Sequence, residues 1–294
     1  MRRIAALLPL DAAERRLLPE DAPLEEAEVA VVESFADLPA GTWARARRLR
    51  WIVSLAAGAD HVPFAALPAG AQVVSLHGPG ADAIAEHAVA LLLAALRRVP
   101  AQDRALRAGR FEQAPSRRAA GLSLLVLGAG AIGERIARRG EALGMRVRAW
   151  RRGMDLDALL PEADAVAIAL PLTRETKGLL DARRLRLLRP DAALVNVARG
   201  RIVDRDALAA LLEERPALTY ATDVWWRYPK EGQPFDEPLA RRENVLGTPH
   251  VAALVPGWRE ERVAEAARVA RALARGEVPD GCRVEDPADY AGLR

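Results

Sequence analysis

The segment from Leu124 to Gly133 constrains the fold of this 294-residue chain more than any other. An apolar run, L-S-L-L-V-L, leads into G-A-G-A-I-G and then into E-R-I-A-R-R-G-E-A-L-G-M, which has helical spacing. Strand, glycine-rich turn and helix in direct succession are the context that G-x-G-x-x-G needs to bind a dinucleotide. Gly128 permits the tight turn, Gly130 lets a pyrophosphate approach the backbone, and Gly133 lets the helix lie close to the strand. The first amides of that helix, around Ala131 and Ile132, face the phosphates. Without the flanking elements the same glycines would mark only an ordinary strand–helix turn.

Around this motif, short apolar runs alternate with helical patterns. Ile4–Leu8, Val29–Val32, Trp51–Leu55 and Val73–Leu76 read as strands of a first region. Leu124–Leu127, Met145–Trp150, Ala165–Leu170, Ala193–Val197, Leu218–Asp223 and Val245–Gly247 read as six strands of a second. Helices are expected near Ile132–Leu143, Arg183–Leu188, Arg205–Arg215 and Trp258–Arg275, the last with no strand after it. Ala81–Arg98, almost without a polar face after His87, reads as a buried helix suited to a domain or subunit boundary and limited by Pro100. The pattern predicts an α/β protein of two Rossmann-like, doubly wound parallel-sheet domains. The expected boundaries are 1–93 plus 257–294 for a first domain and 94–256 for the dinucleotide-binding domain.

Composition narrows the partners. Only Lys177 and Lys230 among the 43 basic residues are lysines, yet the net charge is only +3 and acids and bases are mixed along the chain. No basic tail or stripe with interleaved aromatics appears, so no nucleic-acid partner is expected. Cys282 is the single cysteine, which excludes an intrachain disulfide and a cysteine-based metal cluster; no metal is expected, and a reducing, cytoplasmic setting is the simplest. Pro9 and Asp11 cut the opening apolar run well short of a signal-peptide core, and no run has the length of a membrane span.

The second strand of the second region, M-R-V-R-A-W, ends at Arg151-Arg152. An acid near this point would grip the ribose 2′-hydroxyl of NAD, whereas a guanidinium suits a 2′-phosphate. NADP(H) is therefore the expected cofactor, with NAD(H) possible if both arginines face solvent.

Seven segments in order then carry a resemblance. They are A-A-G-A-D-H-V (56–62), A-E-H-A-V-A-L-L-L-A (85–94), the glycine motif, A-L-P-L-T-R-E-T-K-G-L-L (169–180), V-N-V-A-R-G-R-I-V-D (195–204), A-T-D-V-W (221–225) and G-T-P-H-V-A (247–252). Over nearly its whole length the chain resembles the D-isomer-specific 2-hydroxyacid dehydrogenases. The resemblance implies that the first domain is a substrate-binding, flavodoxin-like one and that the active site lies in the cleft between the two. The resemblance implies that Arg199 binds the substrate carboxylate and polarises the carbonyl, and that His250 gives the carbonyl oxygen its proton. It implies backbone contacts to the carboxylate at Ala57 and Gly58, and contact of Asp223 with the nicotinamide amide. Leu170, Pro171, Thr176, Val197 and Ala198 would line the cofactor. His61, His77 and His87 read as structural.

One position departs from the family pattern. A glutamate that orients the histidine is usual five residues after the aspartate, but V-W-W-R-Y-P puts Tyr228 there, before Pro229. A tyrosine can hydrogen-bond imidazole but does not stabilise imidazolium as a carboxylate does. Glu231, Asp236 or Glu237 could replace it from the following loop, and Trp225-Trp226 could equally be core or pocket wall. The expected activity is hydride transfer between NAD(P)H and a small 2-oxo acid such as glyoxylate or hydroxypyruvate, in a homodimer. The rivals are a 3-phosphoglycerate dehydrogenase, for which the short stretch after the last helix predicts no added regulatory domain, and a formate- or phosphite-dehydrogenase-like enzyme. A catalytically silent NADP(H)-sensing protein is the rival of another class.

Overall fold

A computed structural model describes residues 3–293; Met1, Arg2 and Arg294, which the expected first domain includes, lie outside the described residues. The chain forms two compact units, Met1–Gly80 with Val255–Arg294, and Ala81–Leu254. In chain order the strands are β1 (Ile4–Leu7), β2 (Val29–Val32), β3 (Trp51–Ser54), β4 (Gln72–Leu76), β5 (Ser123–Leu127), β6 (Arg146–Trp150), β7 (Ala165–Ile168), β8 (Ala193–Asn196), β9 (Thr219–Thr222), β10 (Val245–Gly247) and β11 (Cys282–Glu285). The helices are α1 (Ala12–Leu17), α2 (Ala81–Leu96), α3 (Val99–Arg107), α4 (Ala131–Ala142), α5 (Leu156–Leu159), α6 (Ala182–Arg186), α7 (Arg205–Glu214) and α8 (Trp258–Arg275).

In the first unit β1 to β4 run parallel and side by side in sequence order. Alternate residues Ile4, Val29, Val31, Val53 and Val74 form one core with Val263, Ala266, Ala270 and Leu273 of α8. The intervening Ala5, Ala30, Ile52 and Val73 are buried too, so both faces of the sheet are covered, as parallel strands require. Beyond α8 the structure adds an element that the sequence reading lacked. C-R-V-E forms β11, antiparallel to β4, with Cys282 opposite Leu76 and Glu285 opposite Val73. Alternating charge and no apolar run hid this edge strand.

All six strands expected in the second unit are present, parallel and in the order β6-β5-β7-β8-β9-β10. The chain leaves β5 for β6 on one side and returns to β7 on the other, which opens a crevice at the carboxyl end of β5. Ala85, Ala88, Leu91, Leu92, Ala95 and Leu96 of α2 and Ile136 of α4 pack on one face, against Leu124, Val126, Ala167 and Val195. Helix α2 is thus core of this unit from Ala81 onward, and the expected boundary at 93/94 falls inside it. It stops at Leu96, Arg98 turns left-handed at φ 53°, and Pro100 lies in the first turn of α3, where its missing N–H costs nothing. No helix among the described residues is long and apolar enough to cross a membrane.

Candidate active site

Most expected site residues of the second unit follow the carboxyl ends of its parallel strands. Gly128 follows β5, Arg151 and Arg152 follow β6, Leu170 and Pro171 follow β7, Val197 to Arg199 follow β8, Asp223 follows β9, and His250 follows β10. Open α/β sheets bind ligands along this edge. Ala57 and Gly58 belong to the first unit, in the loop after β3, where Ala57 is exposed and Gly58 buried.

The glycines separate into two kinds. Gly128 has φ 110°, and a side chain there would meet the Ala169 carbonyl oxygen at 2.5 Å. At Gly133 a Cβ would lie 1.9 Å from the Gly128 carbonyl oxygen, so strand, turn and helix approach too closely for any side chain. Gly130, the N-cap of α4, is different: a Cβ would meet no protein atom within 4 Å, and φ −90° suits any residue. Protein packing does not ask for glycine at Gly130; an anion cradled on the α4 amides does. The residues therefore fit a dinucleotide. Thr176 is buried, and its hydroxyl donates to the Pro171 carbonyl at 2.6 Å and accepts from the Thr173 amide at 2.8 Å. It shapes the loop that flanks the cradle. On that loop Glu175 pairs with Arg152 at 2.8 Å, both side chains largely exposed. Arg151 is exposed as well, so both arginines face solvent, the arrangement under which NAD(H) stays a possible cofactor beside NADP(H).

Arg199 is half-buried and sits between two fixed points. Buried Asn196 accepts from the Ala198 amide at 3.0 Å and donates to the Arg199 carbonyl at 3.0 Å. Next to it, Gly200 brings the chain so near the next loop that a Cβ would be 2.5 Å from the Trp225 carbonyl carbon. Sequence reasoning missed Asn196, although a polar residue inside the apolar run A-A-L-V-N-V was a visible sign. Asn196 also donates to the Tyr220 hydroxyl at 3.3 Å, a phenol that burial pushes up to about 12.

His250 is exposed and has φ 60°, one of two non-glycine residues with positive φ among those described. Strain of this kind persists where surroundings over-determine it. The surroundings here are the buried Asp223 carboxylate, which accepts from the Thr248 hydroxyl at 2.5 Å and from the Val251 and Ala252 amides at 2.9 Å each. The aspartate thus knots the segment on both sides of His250. His87 of α2, read from sequence as structural, places Nε2 2.9 Å from the Thr248 hydroxyl oxygen.

Tyr228 stands beside the imidazole with ring centroids 5.4 Å apart and planes tilted by 33°. Its hydroxyl accepts from the Trp225 amide at 3.2 Å. Two of the three carboxylates considered as replacements are engaged elsewhere: Glu237 holds Arg205 at 2.8 Å and Asp236 pairs with Arg241 at 3.3 Å. The two tryptophans brace loops. Trp225 is buried over Gly247 and donates to the Thr248 carbonyl at 3.0 Å, while Trp226 donates to the Val203 carbonyl at 2.7 Å.

Comparison with known proteins identifies the family. The model of the D-isomer specific 2-hydroxyacid dehydrogenase NAD binding domain matches residues 89–252. A D-3-phosphoglycerate dehydrogenase of Archaeoglobus fulgidus is 33% identical over 77% of this chain, which spans 45% of that protein's length. A glyoxylate reductase of Pyrococcus horikoshii is 33% identical over 80% of this chain and 76% of its own. The solved structure of a D-isomer specific 2-hydroxyacid dehydrogenase from Xanthobacter autotrophicus, in complex with NADPH and MES, superposes with TM-score 0.82 at 28% identity, over 97% of this chain and 98% of that one. A formate dehydrogenase-like protein from Pyrobaculum aerophilum gives 0.87 at 31% identity, over 99% and 100%. With the family model covering more than half of its length, the chain belongs to the D-isomer specific 2-hydroxyacid dehydrogenases.

Proposed function

We propose that the protein is an NADP(H)-preferring reductase of small 2-oxo acids, with glyoxylate and hydroxypyruvate as leading substrates. The observation that carries this reading is the placement of Arg199 and His250 after β8 and β10, on the same sheet edge as the glycine cradle after β5. Gly128, Gly130, Ala131, Ile132 and Gly133 would hold the pyrophosphate, and Arg151 or Arg152 the 2′-phosphate. Leu170, Pro171, Val197, Ala198 and Asp223 would border the nicotinamide side. When bound, the nicotinamide supplies the hydride. Arg199 grips the substrate carboxylate through a bidentate guanidinium contact, which fixes the carbonyl for attack. His250 passes a proton to the developing alkoxide and takes it back in the oxidation direction.

Tyr228 gives this histidine an aromatic neighbour in place of the glutamate of the family pattern described above, so a formate-dehydrogenase-like chemistry or loss of turnover is the competing reading. Oxidation of NADPH and NADH against a panel of 2-oxo acids tests the proposal. Turnover of glyoxylate or hydroxypyruvate with NADPH supports it; tight NADPH binding with no turnover of any 2-oxo acid favours a sensor. The same reading includes a homodimer, supported by the apolar surface that Val99, Leu106 and Phe111 expose on and after α3. Light scattering at micromolar concentration tests that part.

A further inference from the structure

We propose that His87 is a positioning residue for His250, acting through Thr248 and Asp223. Thr248 has a single hydroxyl hydrogen, and its oxygen lies 2.5 Å from Asp223 Oδ1 and 2.9 Å from His87 Nε2. Asp223 is buried and accepts two further bonds from backbone amides, so its carboxylate serves as an acceptor and the Thr248 hydrogen points at it. The Thr248 oxygen therefore faces His87 as an acceptor. His87 must donate from Nε2, which fixes the tautomer. Its Nε2 also stands 3.6 Å from Asp223 Oδ1, so the same N–H bears on both partners.

The rest of Thr248 is already held. Its amide donates to the Thr222 carbonyl at 2.9 Å, and its carbonyl accepts from the Trp225 indole at 3.0 Å. Only the side chain rotor is left to be set, and the Asp223 carboxylate and the His87 N–H hold it between them. With the rotor fixed, Asp223 is held toward the amides of Val251 and Ala252. Those bonds keep His250 in its left-handed conformation and aim its imidazole. Helix α2 thereby reaches a residue 163 positions later in the chain through one hydroxyl.

This inference rests on the reading of His250 as the proton donor, so its test has an arm that does not. His87→Gln keeps an N–H close to the position of Nε2, while His87→Leu removes it. Hydrogen exchange at the Val251 and Ala252 amides should quicken clearly in His87→Leu and stay near wild type in His87→Gln. In turnover, His87→Leu should lower kcat roughly 10- to 100-fold, the loss that follows a small misplacement of a reacting group. His87→Gln should recover most of kcat. Should His87→Leu fail to fold, Thr248→Val removes the hydroxyl alone and should give the same rise in exchange. Unchanged exchange in His87→Leu and Thr248→Val overturns the proposal, and so does a His87→Gln variant as impaired as His87→Leu. A wild-type protein that turns over no 2-oxo acid sinks the functional reading, and the exchange arm then decides the His87 role by itself.

Discussion

Replacing Glu175 by glutamine should tighten NADPH binding and leave NADH binding as it was. In the structure Arg152 Nη2 donates to Glu175 Oε2 at 2.8 Å, with the side chains 68% and 54% exposed. An exposed pair of this kind is worth only about 0.2–1 kcal/mol. A charge-assisted bond from the same guanidinium to a phosphate contributes about 1.5–3 kcal/mol. A 2′-phosphate thus displaces Glu175, but it must first break the pair and then endure a neighbouring carboxylate. Removing that charge should yield roughly 1–2 kcal/mol in NADPH affinity, or about 5- to 30-fold in Kd. Arg152→Ala should weaken NADPH by roughly 10- to 100-fold, the same bond read in reverse. In the Arg152→Ala background most of the Glu175→Gln gain should vanish, because the competition has no object left. Fluorescence titration of both cofactors at low and high salt measures this, and the gain should shrink as salt screens the charges. Equal changes for NADH and NADPH, or a gain that survives the loss of Arg152, would refute the reasoning.

Gly130 and Gly133 should behave oppositely. Gly130→Ala puts a methyl into open space and should leave Tm within about 1 °C while weakening both cofactors, whereas Gly133→Ala drives Cβ onto the Gly128 carbonyl and should lower Tm as well as binding. Calorimetry with and without cofactor separates them. Tyr228→Glu sets a carboxylate beside His250; by favouring the protonated imidazole it should carry the pH at which reduction falls off upward, and a pH–rate profile with an unmoved limb counts against that role. Burial alone would push the Glu285 carboxyl up, but hydrogen bonds from His77, Ser75 and Tyr290 and the charge of Arg283 outweigh it and hold it below the usual 4.5. A depressed carboxylate stabilises the fold above that value and loses the contribution as pH falls through the lowered one. Glu285→Gln should therefore cost roughly 2 kcal/mol, or about 4–8 °C of Tm, at neutral pH, and should narrow the gap in Tm between pH 7 and acid.

Much of the fold was legible because parallel strands are buried on both faces and so appear as unbroken apolar runs. Leu124–Leu127 and Ala193–Val197 are of this kind, and both are found as strands or strand ends. The glycine turn was legible because backbone contact leaves no room for another residue at Gly128 or Gly133. Two elements were hidden for equally local reasons. Strand β11 has Arg283 and Glu285 as half of its residues, and the partners of Glu285, Ser75 and Tyr290, were not readable as such. Helix α3 starts around a proline that reads more readily as a stop. At the site, strand ends located Arg199, Asp223 and His250, but nothing in A-E-H-A shows that His87 meets a threonine beyond β10. Nor does Y-P reveal that Tyr228 lies alongside the imidazole. Contacts of that reach belong to the folded chain and have no local pattern.

Strand β11 has a consequence beyond the bonds of Glu285. β4 would otherwise be the border of the first sheet, with one row of amides and carbonyls open to any extended chain that came by. Cys282 to Glu285 cover the row from Leu76 back to Val73, and the Gly281 carbonyl accepts the His77 amide at 3.1 Å. The short strand is a hem sewn over a raw edge, and its own outer side is narrow, charged and therefore poorly suited to further pairing. A protein cut before Cys282 should keep its parallel strands yet tend to self-associate through β4, so that solubility, more than folding, would register the loss of these few residues.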